Sequence, residues 1–410
     1  MTGKATHAPT DQFPVINGEL HIGGIPVTHL AEQVGQTPFY AYDRSLISER
    51  MQLLRNTFPK QLHLHYAIKA NPMPALVRHL AGLVDGFDIA SAGEMQVALD
   101  TTMPTNKISF AGPGKSDKEL KQAIAAGIII NLESEGEMRR LAKHANELGL
   151  RPKVAIRINP DFELRASGMK MGGGPKQFGV DAERVPAMLK ELVSLDLEFY
   201  GFHIFCGSQN LRHEAIIEAQ EKTFALTMHM LEHAPGPIKL LNIGGGLGIP
   251  YFPGERRLDL APIGEHLANH LSNITAAIPE AEVVMELGRF IVGEAGIYVC
   301  KVIDRKESRG VIFLITDGGM HHHLAASGNL GQIIRRNYPL TVGNRVSSNT
   351  TETVNVVGPL CTPLDILGSK VELPRAKEGD LIVVFQSGAY GLTASPQKFL
   401  SHPAAIEVLV

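Results

Sequence analysis

The segment His65-Tyr66-Ala67-Ile68-Lys69-Ala70-Asn71-Pro72 places a lysine directly after a short apolar run. Apolar side chains at alternate positions predict a β-strand over residues 62–68. Pro72 disfavours helical geometry at the residue before it and helps to end the strand. Lys69 is therefore expected at the carboxyl end of a strand, where α/β barrels carry their chemistry. A lysine there can form a Schiff base when its amine is partly desolvated; a surface lysine that caps the strand is the alternative.

Short apolar runs alternate with helical patterns on both sides of this segment. We predict strands over 62–68, 86–89, 107–110, 128–131, 153–158, 199–204, 238–242 and 282–285. We predict helices over 44–58, 73–82, 91–100, 116–126, 134–148, 212–234 and 260–277. Such regular alternation over about 250 residues favours a (β/α)8 TIM barrel. The alternative, a doubly wound sheet, would need Gly-x-Gly-x-x-Gly after its first strand, and the sequence has none there.

The pattern of predicted elements changes from alternating strands and helices to strands alone after about residue 291. Runs such as Tyr298–Asp304, Val311–Thr316, Thr353–Val357 and Asp380–Phe385 are rich in β-formers and are separated by turns. Residues 1–38 share this pattern of strands and turns, with short strands and turns expected over 15–40. We therefore predict a barrel domain over 39–290, and a mostly antiparallel C-terminal β-domain over 291–410 that residues 1–38 complete.

Size and composition exclude several classes of protein. A chain of 410 residues exceeds most single cores, so two domains are expected. A net charge of −3 without a basic block argues against a nucleic-acid partner. The longest apolar stretches are far shorter than a membrane span, and the N-terminus carries no hydrophobic signal core. We expect a cytoplasmic protein without a membrane partner.

Candidate metal ligands are few. Cys206, Cys300 and Cys361 are too scattered for a zinc site or a disulfide framework, and Cys300 is interpreted as a small buried hydrophobe. The triplet His321–His323 cannot turn all its rings to one ion in regular structure, and no cysteine or carboxylate cluster accompanies it. We therefore expect no metal. One of these histidines is expected to line a substrate pocket and the others to be solvated.

Three further segments end predicted strands. Gly244-Gly245-Gly246 exposes backbone N–H groups to an anion such as phosphate, although a tight turn is the alternative. Glu286 suits a protonated ring nitrogen and Arg289 suits a phosphate, although a local salt bridge is the alternative. His203 and Phe205 alternate onto one strand face, with Ser208 beyond them. A lone histidine there is more often a core residue.

A lysine, an anion site, a partner for a ring nitrogen and an arginine together match what pyridoxal 5′-phosphate requires. The chain resembles the fold-type III PLP-dependent decarboxylases, and within them the diaminopimelate decarboxylase family, from about Thr37 to Val410. The motifs that carry the resemblance are Tyr66-Ala67-Ile68-Lys69-Ala70-Asn71, Phe87-Asp88-Ile89-Ala90-Ser91-Ala92-Gly93-Glu94, Gly207-Ser208-Gln209, Gly244-Gly245-Gly246, Glu286-x-Gly288-Arg289, Gly358-Pro359-Leu360-Cys361 and Gly388-Ala389-Tyr390-Gly391.

The resemblance implies a role for each of these residues. Lys69 carries the cofactor and handles protons, Glu286 keeps its ring nitrogen protonated, and Asp88 and Glu94 support the lysine. The phosphate is held by Ser208, the turn with Gly245 and Gly246, Gly288-Arg289, and Tyr390. Cys361 returns a proton after CO2 leaves, as a thiol that is mostly protonated at neutral pH. In the family this cysteine comes from the second subunit, which implies a homodimer with shared active sites.

The chain also departs from the family pattern. The histidine that stacks on PLP is replaced by Phe205, so that either Phe205 or His203 takes the stacking role. The glutamate after the catalytic cysteine is Thr362, and the Arg-Pro-x-Leu-Tyr segment is missing from 320–339. We therefore expect a substrate other than diaminopimelate. These segments resemble a biosynthetic subgroup thought to decarboxylate a glutamyl group on an acyl-carrier protein. Arg335-Arg336 is expected to be an exposed basic patch, or a contact for such an acidic carrier.

Three functions remain open from the sequence. The leading one is a PLP-dependent decarboxylase acting on a free or carrier-linked amino acid, with lysine-forming diaminopimelate decarboxylase as the alternative substrate assignment. An amino-acid racemase on the same barrel is a second class, against which Glu286 and Cys361 argue. A non-catalytic PLP-binding relative is a third, and the joint presence of Lys69, Glu286 and Cys361 argues against it.

Overall fold

The structure is a computed structural model that describes residues 7–163 and 169–410. The chain forms two compact units. The barrel unit consists of Met51–Gly248 and Leu258–Gly288, and the β unit consists of the residues up to Arg50 together with Ile249–Arg257 and Arg289–Val410. None of the helices in the described ranges has the length and apolar character needed to cross a membrane.

The N-terminal region contains short strands and two helices. Its elements are β1 Val15–Ile16, β2 Glu19–Ile22, β3 Ile25–Pro26, α1 Val27–Val34, β4 Phe39–Tyr42 and α2 Arg44–Thr57. The prediction of only strands and turns over 15–40 is wrong at α1. This helix buries only Val27 and Leu30, one turn apart, so its apolar stripe is too short to predict a helix.

Eight parallel strands close into a barrel, which confirms the predicted fold. The strands of the barrel unit are β5 Leu62–Ala67, β6 Gly86–Ile89, β7 Ile108–Phe110, β8 Ile129–Leu132, β9 Lys153–Asn159, β10 Met169–Lys170, β11 Val180–Asp181, β12 Glu198–Ile204, β13 Gly207–Ser208, β14 Leu240–Gly245 and β15 Glu282–Leu287. The barrel order is β5-β6-β7-β8-β9-β12-β14-β15, and β15 pairs with β5 to close the ring.

Helices follow the barrel strands along the chain. They are α3 Pro74–Leu80, α4 Ala92–Leu99, α5 Asp117–Ala126, α6 Glu135–Leu148, α7 Val185–Val193, α8 His213–Leu231 and α9 Ala261–Ala277. Ser91, Ser116 and Ser134 cap α4, α5 and α6 by accepting backbone N–H groups of the first helical turn. The helix α7 was not predicted from the sequence.

The C-terminal part of the β unit is a mixed sheet. Its elements are α10 Arg289–Val292, β16 Gly296–Ser308, β17 Val311–Thr316, β18 Leu340–Val342, β19 Thr351–Val357, β20 Ile366–Pro374, β21 Leu381–Val384 and β22 Ile406–Leu409. Most neighbouring strands are antiparallel, whereas β17 and β19 are parallel, as are β22 and β4.

The strand β4 belongs to the β unit. It pairs antiparallel with β16, with Phe39 opposite Val299, although the sequence suggested that the barrel begins at residue 39. The chain therefore leaves the β sheet later than that suggested boundary. Phe13 and Leu20 share one apolar core with β16 and β21, so the N-terminal segment completes this unit by burying its own side chains.

Candidate active site

Every barrel strand carries a buried polar or charged side chain. In strand order these are His65, Asp88, Ser109, Asn131, Arg157, His203, Asn242 and Glu286. Buried polar groups cost free energy unless they find partners or serve a ligand. In a TIM barrel the carboxyl ends of the strands carry the chemistry, so this polar set marks the candidate site.

Glu286 is held in place by two neighbouring strands. His203 Nε2 on β12 lies 3.3 Å from Glu286 Oε2, and Asn242 Nδ2 on β14 donates to the same oxygen at 3.1 Å. Burial alone would raise the pKa of Glu286. The positive charges of His203 and Lys69 lower it by more than burial raises it, so the net pKa lies well below its usual value. The carboxylate is therefore ionised at neutral pH and can accept an N–H from a protonated ring.

Lys69 lies in a 3-10 turn, Ile68–Ala70, that directly follows β5. Its side chain is exposed, and its Nζ lies 5.6 Å from the ring centroid of Phe205. Phe205 is therefore the aromatic ring that faces the lysine, whereas His203 is engaged with Glu286. The sequence left the choice between these two rings open.

The glycine triplet forms a turn that no side chain would fit. A β-carbon at Gly245 would lie 1.9 Å from the carbonyl oxygen of Glu286, and one at Gly246 would lie 2.2 Å from that of Gly207. Gly246 also has a φ of +82°, which favours glycine. Ser208 is adjacent, because its Cα would lie 3.5 Å from a β-carbon on Gly246. Asn242 Oδ1 fixes the turn by accepting the N–H of Gly244 at 2.8 Å.

Asp88 belongs to a polar chain that crosses four strands. One carboxylate oxygen accepts the hydroxyl of Ser109, and the other lies 3.6 Å from His65 Nδ1. Asn131 Nδ2 donates to Ser109 Oγ at 3.2 Å. Glu94 accepts the N–H of Ala90 at 2.7 Å; burial raises its pKa, and the positive charge of Lys69 opposes that rise.

The predicted phosphate ligands fall in both units. Gly288 directly follows β15 in the barrel unit, where a β-carbon would lie 2.8 Å from Ala70 Cβ. Arg289 and Tyr390 belong to the β unit, where the guanidinium carbon lies 4.5 Å from the tyrosine ring centroid. Arg289 Nη1 also donates to the Tyr251 hydroxyl at 2.8 Å.

The three cysteines differ in exposure. Cys361 is exposed in the β unit, where a thiol can reach a reactant, whereas Cys206 and Cys300 are buried. Burial raises the pKa of Cys206 to about 11, and it raises that of Cys300 well above its ordinary value. The interpretation of Cys300 as a buried apolar residue is confirmed.

The expectation that two histidines of the His321–His323 triplet are solvated is wrong. All three side chains are buried in the β unit. His322 Nε2 lies 2.8 Å from the Pro403 carbonyl oxygen, and His323 Nε2 lies 2.9 Å from Ser387 Oγ. Burial lowers the pKa of His323 to about 3, so the ring is neutral. The triplet is polar by composition but forms part of the interior.

The basic pair Arg335-Arg336 is only partly the exposed patch that was predicted. Arg335 is half-buried and its Nη2 donates to the Ile366 carbonyl at 2.6 Å. Arg336 is exposed and stacks on Phe252, with 3.7 Å from the guanidinium carbon to the ring centroid. Local partners in the β unit therefore engage both side chains.

Sequence reasoning missed several buried polar residues of the barrel. His65, Ser109 and Asn131 lie within short apolar strands, where a single polar residue is easily taken for an ordinary surface position. Asn242 had a usable signal, because it is a lone polar residue in an apolar strand, two positions before the glycine triplet begins at Gly244. Such a residue in a buried strand must find a partner, and here it finds both Gly244 and Glu286.

The residues of the barrel unit fit pyridoxal phosphate. An exposed lysine amine faces an aromatic ring, an ionised carboxylate suits a ring nitrogen, and a turn without side chains offers backbone N–H groups to a phosphate. His203 Nδ1 is also buried without a hydrogen bond to any described residue, as expected beside a ligand pocket. Fold and site together define a TIM-barrel enzyme that uses this cofactor.

Comparison with known proteins agrees with a TIM-barrel enzyme that uses pyridoxal phosphate. The model of the family described as "Pyridoxal-dependent decarboxylase, pyridoxal binding domain" matches residues 44–293. The chain belongs to this family of PLP-dependent decarboxylases.

Two curated relatives and one solved structure show the range of similar proteins. The chain is 38% identical over 380 residues to L-glutamyl-[BtrI acyl-carrier protein] decarboxylase of Niallia circulans, covering 91% of this chain and 89% of the relative. It is 34% identical over 401 residues to diaminopimelate decarboxylase of Aquifex aeolicus, with 96% and 91% covered. The crystal structure of diaminopimelate decarboxylase from m. jannaschii with L-lysine superposes with a TM-score of 0.86 at 27% identity, covering 98% and 93%.

Proposed function

We propose that this PLP-dependent enzyme removes the α-carboxylate of an amino acid joined to a carrier protein, with a glutamyl thioester as the leading candidate. The observation that supports the reaction is the ionised carboxylate of Glu286, fixed by His203 and Asn242, in the same unit as the exposed amine of Lys69. The cofactor, when bound, supplies a conjugated ring that accepts the electron pair of the broken Cα–carboxylate bond.

We assign the following roles to the barrel residues. Lys69 holds the cofactor covalently through its Nζ. Phe205 packs its ring against the cofactor face, because this ring already faces Nζ at 5.6 Å. Glu286 accepts the N–H of the cofactor ring and keeps that proton in place by charge. His203 is a positioning residue that acts through Glu286 at 3.3 Å.

The phosphate site of this proposal is the glycine turn of the barrel unit. The backbone N–H groups around Gly245 and Gly246 face the anion together with Ser208, since side chains are excluded there by close backbone contacts. From the resemblance we also propose that Arg289 and Tyr390 bind the phosphate; within the β unit, the guanidinium carbon of Arg289 lies 4.5 Å from the ring centroid of Tyr390. Asp88, braced by Ser109 and close to His65, supports the region of the lysine.

Proton return is assigned to the exposed thiol of Cys361. From the resemblance we also propose a homodimer in which each subunit supplies this cysteine to the active site of the other. Mixing inactive Lys69→Ala and Cys361→Ala subunits tests this, since only shared sites regain activity. The cytoplasmic location inferred from the sequence stays a prediction.

The substrate proposal rests on the segment that follows Cys361. The next residue is Thr362, which carries no charge for a distal ammonium group. The nearby Asp365 is not a substitute, because it is buried and accepts the backbone N–H groups of Met320 at 2.6 Å and Leu360 at 2.9 Å. A distal charge without a partner would be costly to bury, whereas a thioester carries none.

The test is a panel of substrates assayed by CO2 release. The panel contains glutamyl-carrier thioester and free glutamate, lysine, ornithine, arginine and meso-diaminopimelate. We expect the glutamyl-carrier thioester to have the highest kcat/KM of these substrates. Free meso-diaminopimelate as the best substrate would overturn the carrier proposal and leave a lysine-forming decarboxylase. Turnover of any panel member without CO2 release would contradict the decarboxylase reaction itself.

A further inference from the structure

The helices α8 and α9 pack against each other in the barrel unit. Two histidines of α9, His266 and His270, are one helical turn apart and therefore lie on the same face. Glu221 of α8 stands opposite them. One possible ligand atom from each of these three residues lies within 4.8 Å of the other two. None of the three residues is among those assigned to the cofactor, and the cluster draws on two neighbouring helices.

His266 is the buried member of this cluster. The residue is only 8% exposed, and its Nε2 makes no hydrogen bond to any residue that the structure describes. A buried ring nitrogen without a partner costs free energy, and a bound ion is one of the few explanations for it. The ring centroids of His266 and His270 are 4.1 Å apart, so the two rings lie next to each other.

His270 is oriented as a metal ligand requires. Its Nδ1 lies 2.9 Å from the backbone carbonyl oxygen of His266. Because a carbonyl can only accept, Nδ1 carries the hydrogen and Nε2 keeps its lone pair. This is the outer hydrogen bond that metal-binding histidines usually make. Glu221 is exposed and can turn a carboxylate oxygen toward the pair.

We propose that Glu221, His266 and His270 bind one divalent transition metal ion of the zinc type, with water as the fourth ligand. Two imidazoles and one carboxylate suit zinc, whereas calcium and magnesium prefer oxygen ligands alone. The sequence predicts no metal site, because its cysteines are scattered and the His321–His323 triplet does not suit one ion. Glu221 is far from His266 and His270 along the chain, and the fold brings the three together.

The ion would connect two helices that directly precede strands carrying residues of the cofactor site. The chain runs from α8 into β14, which ends in the glycine turn, and from α9 into β15, which carries Glu286. Ile216, Gln220 and Thr223 of α8 also line a small cavity beside Gly244 and Gly245. We therefore infer that the metal stabilises this part of the barrel and takes no part in the reaction.

The experiment uses the full-length, tag-free, PLP-loaded protein after treatment with a chelator. Zn2+ is titrated by calorimetry, Co2+ is added to follow its visible absorption, and the melting temperature is measured with and without Zn2+. The variants are Glu221→Gln, which changes an exposed side chain, and His270→Gln. The matched control is the double variant His229→Gln/His233→Gln, which removes another one-turn histidine pair, on and just after α8, whose ring centroids are 5.8 Å apart.

We expect one site per chain, an affinity at least about tenfold weaker in both variants, and no change in the control. Zn2+ should raise the melting temperature of the unchanged protein and of the control, but not of Glu221→Gln. Equal zinc affinity in the unchanged protein and Glu221→Gln, or an equal loss in the control, would overturn the proposal. Because every readout is metal binding or unfolding, the outcome is independent of the proposed reaction and substrate.

Discussion

Two buried histidines in different parts of the chain show opposite uses of the same residue. His203 of the barrel unit lies 3.3 Å from the carboxylate of Glu286, whose pKa it helps to lower. The hydrogen-bond partners of His323 among the described residues of the β unit are neutral: its Nδ1 accepts from the Ala326 N–H at 3.3 Å, and its Nε2 lies 2.9 Å from Ser387 Oγ. Burial therefore does not decide function; the charge of the nearest partner does.

The largest effect is expected from Glu286→Gln, which makes the His203 region resemble the neutral surroundings of His323. The amide keeps the shape but removes the charge that holds the proton of the cofactor ring. We expect kcat/KM for CO2 release to fall on the order of 10²–10³. The control is Glu282→Gln at the other end of β15, where the side chain pairs with Lys107. A loss of kcat/KM below about threefold in Glu286→Gln would contradict the role assigned to the charge of Glu286.

The next effect concerns the pH dependence of stability in the β unit. Folding lowers the pKa of His323 from 6.5 to about 3, so between these values the unfolded chain binds more protons than the folded one. Stability then rises with pH by up to ~1.4 kcal/mol per pH unit for this group, and it is lost as pH falls from 6.5. His323→Gln removes the group while an amide can still reach Ser387.

We expect the difference in unfolding free energy between pH 7 and pH 5 to shrink by about 2 kcal/mol in His323→Gln. Urea unfolding at both pH values measures it, with the exposed His233→Gln as a control that should leave the difference unchanged. If the difference in unfolding free energy between pH 7 and pH 5 is the same in His323→Gln as in the unchanged protein, the ring of His323 is not neutral in the folded state, contrary to what its contacts indicate.

The smallest effect is expected at Asn242, which joins the glycine turn to Glu286. Asn242→Ala loses one hydrogen bond to Gly244 and one to Glu286, so kcat/KM should fall by about tenfold. Asn242→Asp keeps an acceptor for Gly244 but places a second carboxylate beside Glu286, and it should be the poorer enzyme of the two. Kinetics and cofactor affinity measured on both variants check this; an Asp variant that equals the unchanged protein would contradict it.

The sequence predicted the barrel apart from α7, because most of its strands and helices have a local signal. Strands such as β5 are short apolar runs, and serine caps such as Ser116 precede the helices. Lys69 and Glu286 were found because they end such runs. The structure places them in one unit, where Lys69 contributes to the lowered pKa of Glu286.

What the sequence missed depends on neighbours that are distant along the chain. His322 is buried because Pro403, Tyr298 and Tyr40 surround it, and nothing in a run of three histidines indicates these partners. Arg335 is likewise engaged by the carbonyl of Ile366 from another strand. Burial of a polar residue follows from tertiary contacts, which local patterns do not contain.

Above all, we propose that Lys69 carries the cofactor covalently in the site organised by Glu286. The direct measurement is mass spectrometry of peptides from PLP-loaded protein after borohydride reduction, with Lys69→Ala and Lys115→Ala treated in parallel. We expect a single pyridoxyl-phosphate adduct on the peptide that contains Lys69, present in Lys115→Ala and absent in Lys69→Ala. An adduct on another lysine, or none on Lys69, would contradict it.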